Sequence, residues 1–147
     1  MRLWFLMLVI VASLAASSLG AADDTKDADG LRGTWTAVSA QRNGAPADDI
    51  KGHRLTFAGD RFSIRSKGKL VYQGTYRSDP STKPAKIDFT QTSGEAKGKS
   101  WQGIYLRKGD GLKICDNADD PGKGRPTAFA TEPGSGRVLV NFKRALR

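Results

Sequence analysis

Leu31-Arg32-Gly33-Thr34-Trp35 opens the alternating part of this chain, and Val138-Leu139-Val140-Asn141-Phe142-Lys143-Arg144 closes it. Between them apolar residues recur at every second position in short runs, and no run repeats with a helical period. Such runs predict strands that turn alternate side chains to a core. Residues 33–41 form the first, ended by Asn43-Gly44. Residues 53–57 form the second, with Leu55 and Phe57 on one face. Gly59-Asp60 turns into 61–65, where Phe62 and Ile64 share a face, so this pair predicts a hairpin. Lys67-Gly68 turns into 69–77, with Leu70, Tyr72, Gly74 and Tyr76 facing together.

Asp79-Pro80-Ser81-Thr82-Lys83-Pro84 is a loop, because its prolines cannot sit in a central strand. Strands then follow at 86–92, where Ile87 and Phe89 share a face, and at 100–107, where Trp101, Gly103 and Tyr105 oppose Ile104 and Leu106. In 112–115, Leu112 and Ile114 take one face and Cys115 the other. Residues 116–125 are irregular, a short strand is expected at 127–131, and Val138, Val140 and Phe142 share the inner face of the last. The total is eight strands, or nine with the short one. Hairpin-length connections make them antiparallel and up-and-down, and closure into an all-β barrel removes the exposed edges. Glycine inside a strand, as in Gly74-Thr75-Tyr76 and Gly103-Ile104-Tyr105, marks the bends that closure needs.

The ends lie outside this pattern. Arg2, the apolar run from Leu3 to Leu14 and the small residues Gly20-Ala21-Ala22 have the layout of a signal peptide over 1–22. The run is shorter than the ~20 residues a membrane span needs, so no anchor is expected after cleavage. Residues 23–30 hold four Asp and one Lys, an acidic leader with almost nothing to bury. One domain, 31–147, remains. The expected location is the periplasm or the exterior.

The chain carries a formal charge of +9, and 31–147 carries 22 Lys and Arg against 11 Asp and Glu, about +11. A basic exported domain suits an acidic polymer or membrane surface. The basic residues are scattered singly, however, and solubility alone accounts for them. Cys115 is the only cysteine, so the fold holds without an internal disulfide.

Candidate chemistry is sparse. His53 and Cys115 could pair as base and nucleophile only if the fold joined them, and their spacing gives no sign of it. One His and one Cys do not make a zinc site. Asp116, Asp119 and Asp120 lack the spacing of a calcium loop. Gly122-Lys123-Gly124-Arg125 lacks the spacing and following helix of a phosphate loop. Asp88 faces away from Ile87 and Phe89, toward a strand-borne Arg or Lys. No catalytic residue, metal or cofactor is expected, and no nucleic-acid partner either, since the aromatics alternate with polar residues as core residues do.

In order along the chain, Leu31-Arg32-Gly33-Thr34-Trp35, Gly59-Asp60-Arg61-Phe62, Gly74-Thr75-Tyr76, Lys83-Pro84-Ala85-Lys86-Ile87-Asp88-Phe89, Gly98-Lys99-Ser100-Trp101-Gln102-Gly103-Ile104-Tyr105, Gly109-Asp110-Gly111-Leu112-Lys113-Ile114-Cys115, Gly124-Arg125-Pro126 and Lys143-Arg144 resemble an uncharacterised lipocalin-like domain family of planctomycete bacteria. More distantly, Gly33, Trp35 and Arg144 resemble the frame of lipocalin and calycin barrels. There the matching Trp closes one end and the Arg packs across it, a cation–π contact worth ~0.5–2 kcal/mol.

The resemblance implies an exported lipocalin-like barrel and no established activity; the role expected of the barrel is non-enzymatic, to hold a small apolar or amphipathic molecule at its mouth. Eight strands leave room for side chains or for one small ligand. Leu55, Phe57, Phe62, Ile64, Tyr72, Tyr76, Ile87, Phe89, Val138, Val140 and Phe142 are expected to point inward. Phe57, Phe62, Tyr72, Tyr76, Trp101 and Tyr105 are the ligand-binding candidates, and Tyr72 and Tyr76 add a hydroxyl to an apolar ring. The alternative is a basic interaction module, without internal ligand, that docks on an acidic polymer, a membrane surface or a partner protein.

Overall fold

The computed structural model describes residues 30–146. The expected signal peptide and nearly all of the acidic leader lie outside the described residues. The strands are β1 (Gly33–Arg42), β2 (Ala45–Pro46), β3 (Arg54–Ala58), β4 (Arg61–Ser66), β5 (Lys69–Asp79), β6 (Ala85–Gln91), β7 (Ser100–Lys108), β8 (Gly111–Asp116) and β9 (Val138–Arg144). All pairings are antiparallel. β1 pairs with β3, each later strand pairs with the next, and β9 returns to β1 from Trp35↔Arg144 to Arg42↔Val138. The result is a closed eight-stranded up-and-down barrel, with β2 as a short extra strand outside it on the end of β1.

Alternation places the core. Nine of the eleven residues expected to face inward are buried in the main cluster, which also takes in Leu31, Trp35, Ala37, Trp101, Tyr105, Leu112 and Ile114. Ile64 is half-buried against it. Tyr72 is 40 % exposed, and Leu70, expected on the same face, is exposed as well. Tyr72, opposite Ile64, keeps the inward face and is exposed at the open end of the barrel, whereas Leu70 turns outward through a register shift: Arg65 pairs with Leu70, so Val71 is an extra residue and the alternation of β5 breaks there. A second shift, between Ala37 and Ser39, leaves Val38 exposed on β1.

The expected strand at 127–131 does not form. The ring of eight is already closed, so this segment has no free edge to join. It runs instead over the outer face, where Phe129 packs on Ile104, Cys115 and Leu139, and the Cys115 thiol lies 3.6 Å from the Ala130 carbonyl. This small outer cluster explains why the backs of β7, β8 and β9 are apolar. Burial there pushes the Cys115 thiol above its ordinary pKa.

Arg125 clips the same loop to the wall. It donates to the carbonyls of Ile87 and Gly103, at 3.3 and 2.7 Å, and to the Asp88 carboxylate at 2.7 Å. Asp88 therefore finds its cation on the loop rather than on a strand. The Gly122-Lys123-Gly124 stretch belongs to a turn: Pro121–Lys123 is one short 3-10 turn, capped by Asp120 on the Gly122 amide.

One end of the barrel is sealed. Trp35 has no exposed surface, and its indole N–H donates to the Leu31 carbonyl at 2.8 Å. The Arg144 guanidinium lies over the ring, 4.2 Å from its centroid, and donates to the carbonyls of Arg32 and Gly30 at 2.9 and 3.2 Å. Gly33 makes this approach possible. Its φ of 115° is a left-handed conformation that side chains rarely adopt, and a Cβ there would lie 3.0 Å from the Arg144 Nη1.

Candidate binding site at the barrel mouth

The opposite end is open. A cavity of about 410 Å³ lies between the far ends of the strands, walled by Leu55, Ile64, Tyr72, Phe89, Trp101, Ile114, Val138, Val140 and Phe142. Its size falls within the ~300–1,000 Å³ usual for small-molecule sites. The half toward Trp35 is filled, and the aromatic packing shows how. Phe57 lies 4.6 Å from Tyr76 between ring centroids, and Phe62 meets Phe89 edge-on at 5.0 Å and Trp101 at 5.8 Å. Phe89 and Trp101 stack at 5.4 Å and form the cavity floor, with Tyr72 edge-on to Trp101 at 6.1 Å.

Of the six residues singled out as ligand-binding candidates, Tyr72 and Trp101 line the cavity. Phe57, Phe62, Tyr76 and Tyr105 are buried in the main core cluster and do not line it. The Tyr76 hydroxyl is engaged by the Gly59 carbonyl at 3.0 Å. Gly33, Trp35 and Arg144 lie together at the sealed end. His53 lines the cavity, whereas Cys115 belongs to the outer cluster on the other side of the wall, so the fold does not bring the two together.

The polar rim comes from segments without alternation. Arg42, at the end of β1, grips Asp49 through two hydrogen bonds of 3.1 and 3.0 Å, and its Nε lies 3.9 Å from Asp119. Asn43 holds the other Asp119 oxygen at 2.7 Å. The guanidinium keeps the Asp49 carboxyl below its ordinary pKa. These contacts tie 42–53 to the long loop across one side of the mouth. Lys99, before β7, adds an exposed ammonium.

Asp116 is the unusual member. It ends β8 on the inward face, two residues beyond Ile114, and one carboxyl oxygen accepts the Ala118 amide at 3.0 Å. None of the ion pairs among the described residues includes it. Desolvation pushes its carboxyl up to about 7, against smaller opposing effects from the Ala118 amide and the charge of Lys99.

The folded pKa thus exceeds the unfolded value, and between about pH 4 and pH 7 the folded state binds more protons. Stability should fall as pH rises through that window and level off above it. The loss is on the order of 1–2 kcal/mol, water in the open cavity screening the full value. Unfolding of the protein and of Asp116→Asn from about pH 4 to 8 checks this: the two curves should converge toward acid pH, with the variant ahead above neutrality. Parallel curves would contradict it.

The closed eight-stranded barrel is consistent with the calycin type of fold. No family model, no curated protein and no solved structure was found to match the chain.

Proposed function

We propose that this protein is an exported, lipocalin-like binding protein, akin to the planctomycete domains it resembles, that holds one small apolar or amphipathic molecule at the barrel mouth without reacting with it. The observation that carries the reading is the cavity: apolar and aromatic walls, a sealed base and a few convergent polar groups are the features of a ligand site. Tyr72, Phe89 and Trp101 supply the contact area. The test is native mass spectrometry of the protein recovered from its own host, with calorimetry against a panel of straight-chain amphiphiles. One small molecule retained per chain, or one saturable isotherm, is expected. A bare chain that binds no member of the panel would overturn the reading. Export predicts that the same host-derived chain begins near Asp23.

A second surface favours the alternative. Near the sealed end a groove of about 830 Å³ is lined by Arg32, Arg54, Arg65 and Arg144 with Thr34 and Thr56. Arg54 and Arg65 stand directly opposite each other on β3 and β4, where like charges repel. No ion pair among the described residues relieves them. An acidic polymer laid along the groove would do so. Salt-sensitive retention on a sulfated polysaccharide, lost in Arg54→Ala with Arg65→Ala, supports this second reading, and retention unaffected by the pair of substitutions would dismiss it.

A further inference from the structure

The charge of the cavity runs against that of the chain. Arg42 and Lys99 face Asp49, Asp116 and Asp119 there, a formal −1 with His53 neutral and Asp116 ionised, in a protein of +9. Arg42 is already held by Asp49 and Asp119. Lys99 is exposed at the edge. Asp116 is therefore the cavity's one wall-borne carboxyl without a cation within ion-pair distance among the described residues. Tyr72, Phe89 and Trp101 line the same cavity, and aromatic faces attract cations. A carboxyl and three aromatic rings around one apolar space make a receptor for an ammonium group on an apolar body.

We propose that the preferred guest is a cationic amphiphile, an alkyl or aryl amine whose body lies on Tyr72, Phe89 and Trp101 and whose ammonium donates to Asp116. The inference rests on the reading of the cavity as a ligand site and adds the chemical class. A fatty acid fits poorly, since its carboxylate would meet Asp116 with Asp119 and Asp49 at the rim. Amine binding favours the ionised carboxyl and so releases its proton. The other charged or titratable groups on the cavity, Arg42, Asp49, His53, Lys99, Asp119 and Tyr72, form the field in which this happens. Lys99, exposed at the edge, acts on Asp116 only through its charge and is the cation with which the guest competes.

The test is calorimetry of the full chain with octylamine, octanol and octanoate, one tail with three head groups, at about pH 8 and about pH 5.5, where the amine stays protonated. Competition with octanol marks the shared cavity. At the higher pH, octylamine is expected to bind about tenfold tighter than octanol, the gain of a charge-assisted hydrogen bond, with octanoate weakest. At the lower pH the advantage should shrink several-fold as Asp116 takes up its proton. Asp116→Asn should lower octylamine affinity about tenfold and remove its pH dependence. The head-group comparison on the unaltered chain stands without the variant. Octanol or octanoate binding as tightly as octylamine at the higher pH would overturn the amine assignment while leaving the cavity a ligand site. No binding of any of the three would overturn both.

Discussion

Trp35→Ala is expected to lower the free energy of unfolding by about 3–5 kcal/mol, the range for removing a buried aromatic from a core. The ring has no exposed surface, and three interactions depend on it. Its N–H loses the Leu31 carbonyl, Arg144 loses the π-face beneath it, and β1 and β9 lose their packed closure at the pair Trp35↔Arg144. Arg144 would keep its bonds to the Arg32 and Gly30 carbonyls, so the end loosens rather than opens. Urea titration measures the loss. A midpoint equal to that of the unaltered protein would show that the indole does not seal the barrel.

Gly74→Ala is expected to cost about 3 kcal/mol or more, at the upper end of overpacking effects. Gly74 sits mid-strand in β5, paired with Gln91, and a Cβ there would lie 1.8 Å from the Thr90 carbonyl oxygen and 2.8 Å from its carbon. Both atoms are backbone of β6, which cannot retreat without breaking the β5–β6 ladder. Gly94→Ala is the control: its φ is positive, unlike that of Gly74, but nothing stands within 4 Å, so the expected loss is only about 1 kcal/mol. Thermal unfolding of both variants separates collision from backbone strain. Equal losses would mean that β5 and β6 are not held as closely as the geometry requires.

The barrel was legible because strand alternation is a local property. Leu55 and Phe57, Phe62 and Ile64, Ile87 and Phe89, and Val138, Val140 and Phe142 each mark an inward face without reference to any other strand. The position of the cavity was not legible, because alternation tells which side a residue faces and says nothing of its depth along the barrel axis. Leu55 and Phe57 share a face of β3, yet Leu55 lines the cavity and Phe57 packs in the filled half. Depth follows from the pairing offsets and from bulges such as the one at Val71, which involve residues far apart in sequence.

The rim was hidden for another reason. Arg42, Asp49, His53 and Asp119 come from a strand end and two irregular segments, and only the folded chain joins them. Asp116 did leave a signal. It follows Leu112 and Ile114 at the same period, so an inward carboxyl could have been read where the acidic loop begins. The segment at 127–131 misled because Ala128-Phe129-Ala130 is a short apolar run between Thr127 and Thr131, as a short strand can be, although Phe129 serves a patch outside a ring that is already complete.

The most direct test of the mouth as a binding site is a two-dimensional amide NMR titration of the protein with octylamine and with octanol. The account predicts saturable shifts centred on Tyr72, Trp101, Asp116 and Val140, with Thr34, Arg54 and Thr56 near the sealed end unmoved. Shifts centred on the latter group, or none up to the solubility limit of either compound, would contradict it.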